Sequence, residues 1–582
     1  MSGAPLGDGG PKSFSPDDRD TVVGPLGQLV HREGLQHSER LARAWYDVGN
    51  SVWCLVGNGL SNQTFVRGPE GIIAIDSGES LQEMRLALAE LRRHTSEPIV
   101  AALYTHFHYV QGTTAIVEDR ERMGITAQLA VYGHERIAHN LSRAGTAIAP
   151  TYTRGLVEQF ALALPNDGPD GVVNVGLGLA YRNAEHAPFT LAHLPVTHPF
   201  SNATTLKIAG LDIHVQPAPS DADDSVTFWF PSLRVAVNNL VWPLLFNIFA
   251  IRGEEYRDPR VLVTGLDHLG GLCADHLVGT HGPPISGTDD VARRVTKYRD
   301  AIQFLWDQTV RHTNAGATSV ELAHAVRLPA EYEDDYLTTQ FYGVVEHHVR
   351  QIRSGLFGWF DGDPVNLFPL ARADRANRLV HAMGGAAIVR AQCAAATEAD
   401  PRWALELASL LVARDDASND DQQLLAGVLR VIARRTTAAN IRNWCLTRAR
   451  EADGSFDARR LHAHRWSQRQ VESWGLVATL DVLRVTLVPE RAIGVDVHVA
   501  FVVTRTNGTV SAGLHVRNFI ACPTDGTGAT VEARLSSEAW NALLGGATTL
   551  DETLASSSVE VIGDERELRQ ALGVFDHPSL TR

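Results

Sequence analysis

Two histidines separated by one residue are the clearest chemical feature of the sequence. His106 and His108 lie in YTHFHYVQG, after the apolar run IVAALYTH, which predicts a buried strand. Alternate residues of an extended segment point to the same side, so both imidazoles could bind one metal ion. Loop histidines that are hydrogen-bonded to backbone often have this spacing too. The residues alone therefore leave a ligand pair and a structural pair both open.

Further ligands could come from two later segments. QPAPSDADDSVTFWFP offers Asp221, Asp223 and Asp224 before a predicted strand. His281 in LVGTHGPP follows a short apolar stretch, at a strand-to-turn junction. An acidic loop is often only solvated and a lone histidine often structural, so neither segment establishes a ligand by itself.

Two arginines could hold an anion. Arg252 and Arg257 lie in IRGEEYRDP, and a guanidinium offers a planar fork of donors with a permanent charge. Sulfate or carboxylate would suit such a pair, whereas pairing with the neighbouring acidic residues is the structural alternative. The sequence has no P-loop, no GxGxxG after a strand and no GxSxG, so nothing indicates a nucleotide or a serine nucleophile.

The elements that must position these residues have a mixed texture. Between about residues 51 and 288, short strands alternate with turns and with one amphipathic helix, ESLQEMRLALAELRRH. Residues 289–454 predict packed helices such as RWALELASLLVARD. From residue 466 a helix precedes strands joined by an Asn-Gly hairpin turn, and two more helices follow. The sequence therefore predicts three domains and an overall α+β fold class.

Bulk properties exclude several partners. The 582 residues carry a net charge of −15, which argues against a nucleic acid or an anionic membrane surface. The polar, Gly- and Pro-rich residues 1–20 predict a flexible arm without a signal peptide. No apolar run reaches the roughly 18 residues that a membrane span needs. Five cysteines without CxxC spacing fit reduced thiols and a cytoplasmic protein.

Taken in order, the motifs resemble the alkyl-sulfatase group of the metallo-β-lactamase superfamily along nearly the whole chain. NGLSNQTFVRGPEGIIAIDSGES resembles the opening strands of that group, and YTHFHYVQG stands where it carries Thr-His-x-His-x-Asp-His. QPAPSDADDSVTFWFP, IRGEEYRDP and GTHGPP resemble its later site motifs. HHVRQIRSGLFGWFDGDPVNLFPL and MGGAAIVRAQ are similar to its helical dimerisation domain.

The resemblance implies a domain order. After the arm at 1–20, residues 21–288 would form a catalytic metallo-β-lactamase αββα sandwich. Residues 289–454 would form an all-α dimerisation domain and make the protein a homodimer. Residues 466–582 would form an α/β domain like sterol-carrier protein, which suggests a small amphiphilic or anionic substrate with a hydrocarbon portion.

The resemblance also implies a metal set. The family normally holds two zinc ions, the first bound by the two histidines of His-x-His and a glutamate. Those ligands fall on His106, His108 and Asp221, with the register among the three aspartates of that loop left open. The late histidine of the family, a ligand of the second ion, falls on His281.

The second half of the set departs from the family. Its aspartate and histidine positions hold Val110 and Gln111, and its bridging glutamate corresponds to Asn239. Valine cannot bind a metal, and neutral amides are poor replacements for carboxylate and imidazole. We therefore expect one divalent metal per chain, Zn²⁺ or Fe(II), with Tyr109 and Asn239 on the substrate side.

Three functions remain open on these residues. Hydrolysis of an alkyl sulfate or related ester by a single-metal centre is favoured because Arg252 and Arg257 suit an anionic substrate. The alternative is a mononuclear non-haem Fe(II) oxidative enzyme, since two histidines and a carboxylate with open positions form its facial triad. The third is an inactive lipid-binding homologue.

Overall fold

The computed structural model describes residues 13–143, 147–459, 466–506 and 508–581. By contacts, the chain divides into two compact units. The first lies within 1–138 and 155–457, and the second within 139–154 and 458–582. The sequence assigned 139–154 to the catalytic domain, whereas its contacts place this segment in the second unit.

Two β-sheets form the centre of the first unit. The described strands of one sheet lie in the order Ala44–Val48, Val52–Val56, Gln63–Gly68, Gly71–Ile75, Ile99–Leu103, Ala130–His134 and His198–Phe200. Those of the other lie in the order Thr204–Ile208, Leu211–Pro217, Val226–Phe230, Val235–Asn238, His276–Gly279 and Ile285–Ser286. Thr21–Val23 and Leu29–His31 pair separately.

The two sheets share one apolar core. Cys54 and Ile73 from the first sheet belong to the same buried cluster as Val226, Phe228 and Val278 from the second. Every residue of Val226–Phe230 is buried, which explains why four of its five residues are apolar. The sheets therefore pack face to face, and their polar loops are left at the edges.

Helices connect the parallel strands and cover the sheets. Leu81–Leu91 and Thr114–Arg122 connect two of the three parallel strand pairs in the described part of the first sheet. In the second sheet, Pro259–Gly271 connects two parallel strands and packs Leu262 and Leu266 into a different buried apolar cluster from the one between the sheets. The predicted αββα sandwich is confirmed. Shorter helices lie at Arg32–Arg40, Ile137–Arg143 and Ala149–Gln159.

The next part of the first unit is helical. Its helices are Thr288–Asn314, Ser319–Ala325, Val345–Phe357, Arg372–Ala382, Ala386–Ala399, Pro401–Ala413, Asn419–Arg435 and Ala439–Ala452. Ser418 and Asp421 form a capping box, so the acidic run DDASNDD begins a helix. Among the described residues no single helix is long and apolar enough to cross a membrane; one pair, bent by 88°, passes on composition.

Residues 13–20 differ from the flexible arm that the sequence predicted. Asp18 forms ion pairs of 2.7 Å with Arg434 and 2.9 Å with Arg435. Phe14 also bridges to Thr436. These contacts hold this part of the predicted arm against the helical region, while residues 1–12 lie outside the described residues.

The second unit contains a five-stranded sheet within its described residues. The strands lie in the order Ile520–Thr524, Gly508–Arg517, Val497–Arg505, Val531–Ser536 and Val559–Ile562. The helices are Gln468–Arg484, Ser537–Leu544, Leu550–Ala555 and Glu565–Leu572. The predicted hairpin is confirmed by the pairing of Arg505 with Gly508, although Asn507 of its turn lies outside the described residues.

Candidate metal centre

The predicted ligands lie on two loops that one backbone hydrogen bond ties together. The buried strand Ile99–Leu103 ends just before His106, and a short 3-10 turn covers Phe107–Tyr109. Asp221 lies in the loop that precedes Val226–Phe230. The Val226 N–H donates to the Thr105 carbonyl over 3.0 Å, which brings this loop to the histidines.

Three side chains converge at this point. His106 Nε2 lies 3.7 Å from Asp221 Oδ2, and His108 Nδ1 lies 3.1 Å from the same oxygen. One nitrogen or oxygen atom from each of the three residues lies within 4.8 Å of the other two. The sequence left the register of the acidic ligand open, and the geometry selects Asp221. Asp223 instead pairs with Arg136 at 2.7 Å.

A chain of hydrogen bonds fixes how the His106 ring is protonated. The Thr105 hydroxyl donates to Asp76 Oδ2 over 2.6 Å and lies 2.9 Å from His106 Nδ1. Because its single hydrogen goes to Asp76, the hydroxyl must accept a hydrogen from Nδ1. His106 Nε2 then carries a lone pair directed toward Asp221. Partners of this kind commonly orient metal-binding histidines.

Burial and charge keep the donors in the form that binds a metal. Burial lowers the pKa of His106 to about 3, so the imidazole is neutral at ordinary pH. Burial alone would raise the pKa of Asp221, but His106, His108 and the Arg257 guanidinium hold it well below its usual range. A neutral imidazole and an ionised carboxylate are what a divalent cation requires.

The donor set fits one metal ion. His106 is fully buried, and its Nε2 atom has no hydrogen-bond partner among the described residues. A buried nitrogen without a partner is costly unless something else occupies its lone pair. Two imidazoles and one carboxylate supply the ligand types that Zn²⁺ and Fe(II) both accept.

The next residues of the motif have other neighbours. Val110 is fully buried and pairs its backbone with Gly78. The Gln111 Oε1 atom is buried without a hydrogen-bond partner in the described structure. Tyr109 turns its hydroxyl toward His281, with 3.4 Å between the oxygen and Nε2. His281 therefore lies near the convergent set, but it is not one of the three converging residues.

Asn239 holds Asp221 in place. Its Nδ2 atom donates to Asp221 Oδ1 over 2.6 Å, and its Oδ1 atom accepts from Trp242 Nε1 over 3.2 Å. Both ends of the amide are thus used within the protein. Asn239, which the resemblance aligns with a glutamate, thus fixes one carboxylate oxygen of Asp221.

A second polar cluster lies beside the two arginines. Arg257 is buried and donates from Nη1 to the Asn247 carbonyl over 2.7 Å. The Phe249 N–H donates to His348 Nδ1, so a neutral His348 carries its hydrogen on Nε2. A Cβ placed on Gly343 would lie 2.6 Å from Asn247 Oδ1 and 3.0 Å from His348 Nε2, so these two side chains converge.

Three buried groups of this cluster have no partner among the described residues: Arg257 Nε, the Asn247 amide and His348 Nε2. Arg257 also acts electrostatically on Asp221, which places the cluster near the convergent set. Sequence reasoning named Arg252 and Arg257 but missed Asn247 and His348. His348 was present in HHVRQIRSG, which was quoted only as a helical motif, and that segment does not contain Asn247. Arg252 forms an ion pair with Glu254, the pairing expected of a structural arginine.

A buried carboxyl lies behind the Tyr109 turn. Glu83 accepts hydrogen bonds from Gln63 Nε2 over 2.8 Å and from the Glu79 N–H over 2.9 Å. A Cβ on Gly59 or Gly78 would meet its Oε1 atom at 2.2 or 2.3 Å, so both glycines are required beside it. Burial raises the pKa of Glu83 to about 7.

Comparisons with known proteins agree on the family. An alkyl sulfatase dimerisation model matches residues 318–454, and an alkyl sulfatase C-terminal model matches residues 467–581. A linear primary-alkylsulfatase of Pseudomonas sp. (strain ATCC 19151) is 31% identical over 88% of this chain and 98% of its own. An alkyl/aryl-sulfatase of Saccharomyces cerevisiae is 27% identical over 91% and 82%.

Among solved structures, the inverting sec-alkylsulfatase Pisa1 from Pseudomonas sp. superposes with a TM-score of 0.80. The match covers 98% of this chain and 93% of that one, at 22% identity, and supports the fold. The fold is that of the metallo-β-lactamases with a helical and a C-terminal domain added. The chain belongs to the alkyl-sulfatase group of that superfamily.

Proposed function

We propose that the protein is a metal-dependent hydrolase that cleaves an alkyl sulfate or a related ester of an amphiphilic substrate with one metal ion per chain. The convergence of His106, His108 and Asp221 on one point is the observation that supports it most directly. The alkylsulfatase relatives support sulfate-ester chemistry, and the 31% identical one matches over nearly its full length.

In such a site, some residues would bind the metal ion and others would orient those ligands. His106, His108 and Asp221 would hold the ion, and Thr105 and Asn239 keep two of these ligands oriented. A divalent ion held by three protein ligands acts as a Lewis acid and lowers the pKa of a bound water.

The cluster around Arg257 suits the anionic end of the substrate. A sulfate monoester carries charged oxygens, and buried N–H donors without partners would bind them strongly. Arg257, Asn247 and His348 provide such donors. The guanidinium also offsets negative charge that builds up on the ester during cleavage.

The test is sulfate release by protein of known metal content. We expect the purified chain to hold about one Zn²⁺ and to release inorganic sulfate from a medium-chain alkyl sulfate such as dodecyl sulfate. Asp221→Asn should lose both the ion and the activity. A protein that contains one ion yet releases no sulfate from primary or secondary alkyl sulfates would contradict the sulfatase part of this proposal.

A mononuclear iron enzyme is the second candidate. Two histidines and one aspartate, without a second complete ligand set beside them in the described residues, are the ligand types of the Fe(II) facial triad. Protein purified without oxygen would then contain about one iron per chain and consume oxygen with its substrate. Sulfate release by the zinc form without oxygen would exclude this function.

We also propose that the helical domain forms a homodimer. Six apolar side chains in the segment 357–370 are exposed: Phe357, Trp359, Val365, Leu367, Phe368 and Leu370. Apolar surface of this density is typical of an interface between subunits. Light scattering of purified protein should give twice the 63.3 kDa of the chain. Phe368→Asp should shift the mass toward one chain.

A further inference from the structure

The resemblance implies a second metal position, whose aspartate and histidine fall on Val110 and Gln111 in this chain. We propose that Tyr109, together with His281, closes that position, so that the chain binds only one metal ion even when metal is in excess. The inference rests on the first metal site of the proposed function, and it concerns a different part of the pocket.

The Tyr109 ring packs against both His106 and His281. Its centroid lies 5.1 Å from that of His106 and 5.3 Å from that of His281, and it meets both rings edge-on. The side chain is only 5% exposed. A second ion next to the first site would have to lie in the space that this ring fills.

The hydrogen bonds of His281 remove its free ligand atom. Nδ1 lies 2.9 Å from the Leu60 carbonyl, which can only accept, so Nδ1 carries the hydrogen. Nε2 therefore has the lone pair, and the Tyr109 hydroxyl is the donor that faces it at 3.4 Å. A zinc ion binds about 2 Å from an imidazole nitrogen, on the side where this hydroxyl stands.

The remaining groups do not rebuild a second site. Val110 has no donor atom, and the Asn239 amide is engaged with Asp221 and Trp242. Gln111 contributes one neutral oxygen, which is a weak ligand for Zn²⁺. Loss of ligands alone would only weaken metal binding at this position, whereas the Tyr109 ring would exclude an ion even if the ligands were restored.

That difference defines the experiment. The double variant Val110→Asp with Gln111→His restores two ligands and, with His281, would offer three. We would equilibrate this variant with excess Zn²⁺, remove free metal by gel filtration and measure zinc per chain. The same measurement on the triple variant that adds Tyr109→Ser tests the ring, and adding Phe107→Ser instead gives a matched neighbour as control.

We expect about one zinc in the wild type, in the double variant and in the Phe107 control, and about two in the Tyr109→Ser triple variant. Adding His281→Ala to that triple variant should return the value to one. Two zinc ions in the wild type or in the double variant would overturn the inference. A folded triple variant that still holds one zinc would overturn it too.

The first ion serves as an internal measure of folding, because a variant that keeps it has retained the site. If Tyr109→Ser does not fold, Tyr109→Ala in the same background provides the measurement. A wild type that binds no zinc would overturn the proposed function together with this inference. A wild type with two would overturn this inference and leave metal-dependent hydrolysis standing.

Discussion

The candidate metal centre has two halves. The first contains His106, His108 and Asp221, and the second contains Val110, Gln111 and His281. The backbone is well held in both halves, but the side chains converge only in the first. In the first half, two of the three predicted ligands each have a hydrogen-bonding partner: Thr105 for His106 and Asn239 for Asp221. In the second half, the backbone is held just as firmly, since Ser77 N–H donates to the Tyr109 carbonyl over 2.8 Å. The side chains there, however, contact one another rather than a common point.

The backbone conformation of the site does not depend on which side chains could bind a metal. The turn after Ile99–Leu103 is fixed by main-chain bonds, which do not depend on what the side chains bind. Replacement of the family's aspartate by Val110 therefore removes a potential ligand without unfolding the turn. The supports of His106 and Asp221 agree with the proposed use of one ion.

The largest effect should come from removing a ligand of the first half. We expect His106→Ala to abolish stoichiometric metal binding and to lower kcat/KM by more than the roughly 100-fold that loss of an outer-shell partner can cause. Metal content and sulfate release check both. Gln111→Ala is the matched change in the second half and should leave the metal content at one. Equal losses of metal content in His106→Ala and Gln111→Ala would contradict the proposed difference between the two halves.

The next effect concerns the anion cluster. Arg257→Ala should raise KM for an alkyl sulfate by roughly 30-fold or more, because truncating one partner of a buried charged interaction costs about 2–5 kcal/mol. Arg257→Lys should recover only part of this loss, since lysine lacks the planar fork. The metal content should not change. Normal KM in the alanine variant would exclude Arg257 from substrate binding.

A smaller effect is expected from the support of His106. Asp76→Asn would weaken the hydrogen bond that fixes the Thr105 hydroxyl and hence the His106 tautomer. We expect metal affinity to fall by roughly 10–100-fold. Competition with a zinc chelator measures it. Unchanged affinity would show that the Asp76–Thr105 bond only stabilises the strand end.

The smallest effect should come from Tyr109→Phe in the otherwise native chain. The ring and its packing remain and only the hydroxyl is lost, so we expect first-site affinity to change by less than about threefold. The same chelator competition measures it. A large loss would mean that Tyr109 supports the first ion directly, and the two halves would then be less independent than their contacts indicate.

The sequence predicted the fold well because its signals were local. The helix at Leu81–Leu91 and the strand at Val226–Phe230 follow from apolar periodicity and burial, and family motifs supplied the order of the domains. Asp221 was predicted among three neighbouring aspartates, but only the geometry could choose it, since loop conformation decides which carboxylate turns inward.

The missed residues share a different cause. Asn247 and His348 are far apart in sequence, and their convergence depends on how the helix Val345–Phe357 packs. No spacing rule connects them. The same holds for the contact of Tyr109 with His281, which tertiary packing produces across 172 positions of the chain.

Glu83 should make the free energy of unfolding depend on pH. Burial raises the pKa of Glu83 to about 7 and also raises the pKa of the adjacent Glu79 above the ordinary glutamate value of 4.5, so folding takes up protons as this pair titrates above pH 4.5. The free energy of unfolding should therefore fall as pH rises through this window. Glu83→Gln keeps the shape and stays neutral, so its stability relative to wild type should increase from pH 5 to 7.5 in denaturant titrations, on a scale of roughly 1 kcal/mol or more. Protonated Glu83 would thus make the stability of the native state depend on pH.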